Sequence, residues 1–430
     1  MSLKAFLSSR ISARLTSRNR LERARGKAER ARQRKGRAHM IEYFHDASDP
    51  YSHLAAQVLP ALAARYDVEI APRLVPPPPD WAAPDREKLV AYSRRDATLL
   101  ARKAGLSFYD PGRQPAPESL VAAGAGLAAA IAEGRFVRDA AAIGQWLWTG
   151  EGPRPSGVGD AETLKTDGAA RRETLGHYLG ATFHYEGEWY WGIDRLHHLE
   201  RRLQALGAAK TPGDEALIFP PPELLHDAPA TPPAGAKELH FYLSFRSPYT
   251  AIAAERVKAL AAAYGAPLKL RYVLPMVMRG MQVPRMKGRY ILKDTAREAH
   301  RLGIPFGKVV DPVGEAVERG YAVLAWAMGE EKGLDFALSF LRGVWAEGID
   351  AGSDKGLKKI TERAGLDWAS AKKLIGGDHW QGEAEANRAE MMSLGLWGVP
   401  SFRVGDVAVW GQDRLWAVED ALKEDAAHAP

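Results

Sequence analysis

The sequence predicts an α/β protein with two tandem domains of the same plan. Two segments, residues 41–52 and 239–250, each pass from an apolar, aromatic strand candidate into a segment of helical composition, with Pro50 and Pro248 at the two junctions. Setting these prolines on each other, at an offset of 198, also aligns four later pairs: Tyr92 with Tyr290, Asp96 with Asp294, Gly105 with Gly303 and Phe108 with Phe306. A repeat of about two hundred residues has the length of a duplicated domain.

The ends of the two copies and the segment between them set the domain boundaries. Residues 191–196 are Trp-Gly-Ile-Asp-Arg-Leu, and residues 410–415 are Trp-Gly-Gln-Asp-Arg-Leu. Seven prolines lie in residues 208–236, which is typical of a semi-rigid linker. We therefore predict a basic N-terminal arm, a first domain, a Pro-rich linker and a second domain, at residues 1–39, 40–207, 208–236 and 237–430.

The order of elements is clearest in the second copy. A strand at Leu239 leads into the helix after Ser247, and a second strand follows at Leu268–Leu274. A helical middle runs from about residue 286 to 392, and a hairpin at residues 402–410 precedes a last helix. A strand-helix-strand unit followed by a hairpin and a helix is a thioredoxin-like layout, into which the helical middle is inserted.

Composition excludes several classes of function. The 430 residues contain no cysteine, which removes disulfides, cysteine metal sites and dithiol exchange. Adjacent His197 and His198 have no third ligand spaced to join them, so we expect no metal centre. No apolar run is long enough to span a membrane and no secretory signal is recognisable, so we expect a cytoplasmic protein.

The net charge of +6 is concentrated in the arm. Residues 1–39 hold thirteen Lys and Arg against two Glu, which gives +11 and leaves −5 for the remainder. Such an arm contacts nucleic acid, an anionic lipid surface or an acidic partner, or it is a solvated tail or a helix laid on the protein body. No aromatic residue is interleaved among the cations of residues 18–37, so we expect no specific nucleic-acid binding.

Ser247 is the candidate with the clearest chemistry. It lies at the strand-to-helix junction as the predicted N-cap, with Pro248 at the first helical position. The start of a helix favours an anion, in particular a thiolate beside the serine hydroxyl. The alternative is that Ser247 only caps its helix.

Four motifs of the second copy resemble the DsbA-like branch of the thioredoxin superfamily. They are Ser247-Pro248-Tyr249, the K-x-x-Y-x-x-x-D pattern of Lys287, Tyr290 and Asp294, Gly-Val-Pro-Ser-Phe at residues 398–402, and the Trp-Gly-Gln-Asp-Arg-Leu motif. Within that branch the chain is similar to the bacterial 2-hydroxychromene-2-carboxylate isomerases and the kappa-class glutathione transferases. The resemblance covers residues 239–424 well and residues 41–203 more faintly.

The resemblance implies a glutathione site. Ser247 would hold the glutathione sulfur as a thiolate, and the backbone of Val399, paired with cis Pro400, would offer strand-like hydrogen bonds. Gln412 and Asp413 would receive the gamma-glutamyl end. For Asp413 and Pro400, the alternatives are a plain helix cap and the fold's own turn.

Lys287 completes the implied site, because its ammonium group would approach a carboxylate of glutathione or of the substrate. The function implied is a glutathione-dependent isomerase or transferase that acts on a small conjugated, aromatic-derived acid. The alternative is a non-catalytic thioredoxin-like binding or scaffold protein, with the basic arm as its docking element. The sequence leaves the oligomeric state open.

The first copy departs from the motifs at the important positions. Asp49 stands where the second copy has Ser247, and Ala181 stands where it has Pro400. A carboxylate would repel a thiolate, and alanine disfavours a cis peptide bond. We therefore predict a degenerate copy, kept for packing or for closing over the second site, with adjacent Ser48 as the alternative hydroxyl.

Overall fold

The computed structural model describes residues 3–232 and 235–427. They divide into two compact units: the first unit is Ala24–Pro221, and the second unit combines Met1–Arg23 with Pro222–Pro430. The α/β class is confirmed, because each unit has its own four-stranded sheet surrounded by helices.

The predicted arm contains two helices, α1 (Leu3–Leu15) and α2 (Arg18–Arg34). α1 is a helix laid on the body of the second unit, because the hydroxyl of buried Ser12 accepts a hydrogen bond of 2.9 Å from Val309 N. The division between the two units falls after Arg23, inside the predicted arm.

The remaining elements of the first unit follow the predicted order. They are β1 (Met40–His45), α3 (Pro50–Arg65), β2 (Glu69–Leu74), α4 (Arg86–Ala104), α5 (Pro117–Ala132), α6 (Phe136–Thr149), α7 (Ala161–Leu175), β3 (Thr182–Tyr185), β4 (Glu188–Trp191), the 3-10 turn Ile193–Arg195 and α8 (Leu196–Ala205).

The first sheet has the strand order β2-β1-β3-β4. β1 pairs in parallel with β2 and antiparallel with β3, so that Tyr43 lies opposite Phe183. The rings of these two residues are 4.8 Å apart and form part of the buried core. A central strand with helices on both faces is buried on both faces, which agrees with the burial of five of the six residues of β1.

The second unit repeats this plan with a longer helical insertion. Its elements are β5 (Leu239–Leu243), α9 (Pro248–Ala263), β6 (Leu268–Tyr272), the 3-10 turn Met276–Arg279, α10 (Arg285–Leu302), α11 (Glu315–Gly329), α12 (Gly333–Arg342), the π turn Gly343–Glu347, α13 (Asp354–Arg363), α14 (Trp368–Lys372), α15 (Gln381–Ser393), β7 (Ser401–Val404), β8 (Val407–Trp410), the 3-10 turn Gln412–Arg414 and α16 (Leu415–Ala427).

The second sheet has the corresponding order β6-β5-β7-β8, again with one parallel and two antiparallel pairings. All five residues of β5 are buried, and Phe241 stacks on Phe402 of β7 at 5.5 Å. The hairpin between β7 and β8 turns at Gly405, whose φ of 53° favours glycine. The sheet thus brings the end of β5 and the start of β7 side by side, which positions the candidate site.

The predicted linker, residues 208–236, is divided between the two units. In the first unit, the buried carboxylate of Glu200 on α8 accepts hydrogen bonds from Ile218 N at 2.8 Å and Phe219 N at 3.2 Å. The Tyr66 hydroxyl donates to the same carboxylate at 3.1 Å. These hydrogen bonds therefore fix the backbone of residues 218–219 to α8, the last helix of the first unit.

The second unit uses the same device at the repeated positions. Glu419 on α16 accepts hydrogen bonds from Leu225 N at 3.0 Å and from the Tyr264 hydroxyl at 2.9 Å. A buried carboxylate with such partners stabilises the backbone that donates to it. The second half of the predicted linker is therefore part of the second unit.

Across residues 3–232 and 235–427, no helix is long and apolar enough to cross a membrane.

Candidate active site

The Ser247 hydroxyl lies at the point where β5 passes into α9. Its oxygen accepts a hydrogen bond from Thr250 N at 3.1 Å, which makes Ser247 the N-cap of α9. The same hydroxyl donates to the carbonyl oxygen of Val399 at 3.2 Å. Ser247 is half-buried. The structure therefore confirms the predicted cap and also joins Ser247 to the Val399 loop, 152 residues later in the chain.

The loop before Ser247 is held by the helical insertion. Phe245 is fully buried and stacks on Phe340 at 4.0 Å, and its carbonyl oxygen accepts a hydrogen bond of 2.9 Å from Trp345 Nε1. Arg246 forms a bidentate ion pair with Asp311, with both distances 2.9 Å. A loop fixed at two successive residues holds the next residue, Ser247, in a defined position.

The peptide bond between Val399 and Pro400 is cis, as the resemblance implied. The Pro400 carbonyl oxygen accepts a hydrogen bond from Gly411 N at 2.8 Å, so this end of the loop is paired. Val399 is half-buried, and its backbone N–H has no hydrogen-bond partner among residues 3–232 and 235–427. An unpaired backbone donor of this kind is available to a ligand.

The side chain of Gln412 is bound inside the protein. Gln412 is buried, its carbonyl oxygen accepts a hydrogen bond of 2.6 Å from Arg256 on α9, and its amide donates to the carboxylate of Asp413. Asp413 is half-buried, whereas Gln412 is less accessible to a ligand. Of this predicted pair, Asp413 is therefore the residue suited to contact a ligand, and Gln412 positions it.

Arg256 was not among the residues predicted from the sequence. Burial lowers the pKa of Arg256 to about 10, and the charge of Asp413 opposes that shift. The guanidinium therefore links α9 to the turn that carries Asp413. The available signal was a cation among the apolar residues of α9, but the sequence does not show which residue it faces.

Lys287 lies on the face of α10 that carries Asp294. The Tyr249 hydroxyl, in the first turn of α9, donates to Asp294 at 2.8 Å, and Arg297 pairs with the same carboxylate at 2.7 Å. Positions i and i+7 share one face of a helix, so Lys287 lies about 10 Å along α10 from that contact. Tyr290 between them is buried.

The side chain of Lys287 is half-buried on α10. No acidic residue within residues 3–232 and 235–427 forms an ion pair with it. Burial alone lowers its pKa. A partly buried cation without an acid is available to bind an anion.

The six predicted residues do not all meet directly. Ser247 contacts Val399, which precedes Pro400, and Gln412 contacts Asp413. Within the described residues, no hydrogen bond or ion pair joins Lys287 to any of them. Helix α9 is the common element, because it is capped by Ser247, bound to Gln412 through Arg256 and tied to α10 through Tyr249.

The first unit keeps Asp194 at the position of Asp413 but lacks most of the other groups. Asp49 caps α3 by accepting a hydrogen bond from Tyr51 N at 3.1 Å. Ala181 has a φ of 51°, and the bond before it is not among the cis peptides. At the repeat offsets, Lys287, Arg256 and Gln412 are replaced by three apolar residues: Leu89, Val58 and Ile193. The contact between the two corresponding helices, α3 and α4, is kept, since the Tyr51 hydroxyl donates to Asp96 at 2.7 Å.

The electrostatics of the first unit also differ. Burial and the neighbouring carboxylate of Asp46 raise the pKa of Asp49 to about 7. The Ser48 hydroxyl, which was the alternative to Ser247, donates to Asp46 at 2.7 Å, and fully buried Ser52 donates to Asp49 at 3.1 Å. These hydroxyls are engaged by carboxylates, which disfavour a thiolate.

Comparisons with known proteins describe what this chain is similar to. The family model of the DSBA-like thioredoxin domain matches residues 238–423. The 2-hydroxychromene-2-carboxylate isomerase of Sphingobium xenophagum is 26% identical over 196 residues, which are 43% of this chain and 98% of that protein. The protein of the same name from Pseudomonas putida is 23% identical over 190 residues, which are 42% of this chain and 92% of that protein.

Among solved structures, a 2-hydroxychromene-2-carboxylate isomerase is 23% identical and aligns with 43% of this chain and 94% of its own, with a TM-score of 0.38.

Proposed function

We propose that the DsbA-like thioredoxin domain of residues 238–423 is an isomerase. It uses glutathione as its thiol cofactor and acts on a conjugated, aromatic-derived acid. The observation that carries the proposal is the Ser247 hydroxyl, which caps α9 and donates a hydrogen bond of 3.2 Å to the Val399 carbonyl. This bond is longer than usual for a hydroxyl donor, so a thiolate is a competitive acceptor.

The groups around α9 fit glutathione by their chemistry. A tripeptide thiol carries one sulfur, one ammonium group, two carboxylates and two peptide units. The Ser247 hydroxyl matches the sulfur, the Asp413 carboxylate matches the ammonium group, and the Lys287 ammonium group matches a carboxylate. The unpaired N–H of Val399 matches a peptide carbonyl.

Glutathione, when bound, supplies a thiolate whose reversible addition to a conjugated carbon–carbon double bond turns that bond into a single bond, which rotates before the sulfur leaves again. The protein's own contribution is to keep the sulfur ionised. The N-terminal dipole of α9 and one hydrogen bond from Ser247 together supply about 1–3 kcal/mol, which lowers a thiol pKa by about one to two units.

The other residues hold the two reactants in place. Arg256 binds Gln412, and the Gln412 amide binds the Asp413 carboxylate and fixes its position. Lys287 provides the positive charge that orients an acid. Holding both reactants in one geometry replaces a bimolecular encounter by an intramolecular step. The names of the relatives favour an isomerase over the transferase alternative.

The first experiment measures glutathione binding by calorimetry. We expect millimolar or tighter binding by the intact protein, and at least tenfold weaker binding by Ser247→Ala. Ser353→Ala is the matched control, because Ser353 caps α13 by accepting a hydrogen bond of 3.1 Å from Gly356 N. Both variants lose a helix cap, which lowers the free energy of unfolding by about 1 kcal/mol. Only Ser247→Ala also loses the proposed contact with the glutathione sulfur.

The second experiment measures turnover. The protein is assayed for isomerisation of 2-hydroxychromene-2-carboxylate, the compound in the relatives' name, with and without glutathione. A rate that requires glutathione and falls in Ser247→Ala supports the proposal. No binding at several millimolar glutathione would refute it and would favour the non-catalytic scaffold.

A further inference from the structure

Helix α1 packs on the second unit through its small, polar face. The Ser12 hydroxyl accepts from Val309 N at 2.9 Å, and the Thr16 hydroxyl lies against the carbonyl of Gly307 at 3.5 Å. Ser12, Thr16 and Ala5 are each less than a tenth exposed. A Cβ built on Gly348 would lie 2.6 Å from the Ser9 hydroxyl, so the helix and that loop approach too closely for a side chain.

The opposite face of α1 is apolar and faces outward. Leu7, Ile11 and Leu15 recur at every fourth position, and they are 49%, 58% and 44% exposed, with Phe6 41% exposed beside them. Within residues 5–232 and 235–424, four of the ten large hydrophobic side chains that are exposed lie in this one helix. Single exposed apolar residues are ordinary, but a contiguous ridge on one helix indicates an interaction surface.

Exposed arginines flank and follow this apolar ridge, and one of them, Arg18, pairs with Glu22 at 2.8 Å. Arg10 and Arg14 are exposed on the same side of α1, and Arg18, Arg20 and Arg23 follow it within the same unit. The sequence has no Asp or Glu before Glu22. Arg10 lies over the Phe6 ring at 5.4 Å, and no acidic side chain in the described part of the chain pairs with Arg10 or Arg14.

We propose that this outward face of α1, with Leu7, Ile11 and Leu15 as its apolar ridge and Arg10 and Arg14 beside it, binds an anionic lipid surface. An apolar stripe flanked by arginines is the pattern of a helix that lies in the plane of a membrane interface. The arginines are long enough to keep their guanidinium groups among the phosphates while the ridge enters the acyl boundary.

Charge argues against the other occupants. A second copy of the chain, docked by two-fold symmetry, would place the same cations against one another, which is unfavourable. Nucleic acid offers phosphates but no apolar layer for three aliphatic side chains. An anionic lipid surface supplies both partners at once.

The test is co-sedimentation of the full-length protein with vesicles, either of phosphatidylcholine alone or with about a third phosphatidylglycerol. We expect binding to the anionic vesicles, at least tenfold weaker for Leu7→Asn with Ile11→Asn, because the ridge no longer enters the acyl boundary. Arg10→Gln with Arg14→Gln is expected to weaken vesicle binding by about fivefold for each positive charge removed.

Two control variants separate this face from general surface properties. Lys355→Gln with Lys359→Gln removes two exposed cations from α13 in the same unit, and Val121→Asn removes an apolar side chain that is 71% exposed. Both controls should bind like the wild type. The altered side chains are all exposed, so the thermal midpoint should not change in any variant.

Equal binding by the α1 variants and the controls, or no preference for anionic vesicles, overturns the proposal. Sedimentation equilibrium of the same variants is the second arm. A wild-type dimer that Leu7→Asn with Ile11→Asn dissociates, without vesicle binding, would assign the face to a second copy instead. Neither arm depends on glutathione, so the outcome is independent of the proposed isomerase activity.

Discussion

Replacing Lys287 by methionine is predicted to weaken ligand binding and to stabilise the protein at the same time. Lys287 is half-buried on α10, and burial lowers its pKa. Folding therefore removes water from a cation for which the described residues provide no acidic partner. Methionine keeps the aliphatic stem and removes the charge, and the first unit already has Leu89 at this position.

The two effects have opposite signs and separate magnitudes. A hydrogen bond to a charged group contributes about 1.5–3 kcal/mol, so Lys287→Met should weaken glutathione or substrate binding by about tenfold to a hundredfold. Removing an uncompensated cation should raise the stability of the second unit by about 1 kcal/mol, which is a rise of about 2–4 °C in the thermal midpoint.

The pH dependence follows from the direction of the pKa shift. The folded protein binds the Lys287 proton less tightly than the unfolded chain, whose lysine pKa is 10.5. The wild type therefore gains stability as the pH rises from the lowered folded-state pKa towards 10.5, and the variant does not. The advantage of Lys287→Met should narrow over that range.

Calorimetric titration with glutathione and thermal unfolding, both at neutral pH, measure the two effects on one sample. Lys355→Met is the control, because Lys355 is exposed on α13 and should change neither quantity. A lower thermal midpoint for Lys287→Met with unchanged binding would refute the argument, since it would make Lys287 a structural residue.

Three further predictions follow from buried charges. Arg256→Met should weaken glutathione binding about fivefold to tenfold in calorimetry, because Gln412 loses the partner that fixes it at 2.6 Å. Asp49→Asn should raise the stability of the first unit by about 2 kcal/mol at pH 8 and by little at pH 4. Burial and Asp46 raise the pKa of the wild-type carboxyl to about 7, so the folded state binds this proton more tightly than the unfolded state. The stability gained from the protonated carboxyl is therefore complete below about pH 4 and is lost as the pH rises through 7. Glu200→Gln should lower the first unit's stability in urea by about 2–3 kcal/mol, because its three donors lose a charged acceptor.

Each of these has an outcome that contradicts it. Lys258→Met is the control for Arg256→Met, because Lys258 is an exposed cation on the same helix, and it should leave glutathione binding unchanged. Equal losses of binding in these two variants would mean that the surface charge of the helix matters rather than the Gln412 contact. A stability of Asp49→Asn that follows the wild type at every pH would mean that the carboxyl titrates normally. Glu200→Gln with wild-type stability would show that the carboxylate does not hold residues 218–219.

The sequence predicted those features that depend on neighbouring residues. The strand-to-helix junctions at Pro50 and Pro248, the cap at Ser247 and the closing hairpin follow from local composition and backbone preferences. The cis bond before Pro400 came from the resemblance instead. The repeat offset predicted two equivalent sheets, and both are present with the same strand order.

The tertiary structure decided the contacts between distant parts of the chain. Arg256 reaches Gln412 across 156 residues, and Ser247 reaches Val399 across 152. Helix α1 buries hydroxyls instead of its aliphatic side chains, because the backbone at Val309, 297 residues away from Ser12, supplies the hydrogen bonds. Periodicity shows which residues share a face, but the partner that selects the buried face lies elsewhere in the sequence, so only folding determines it.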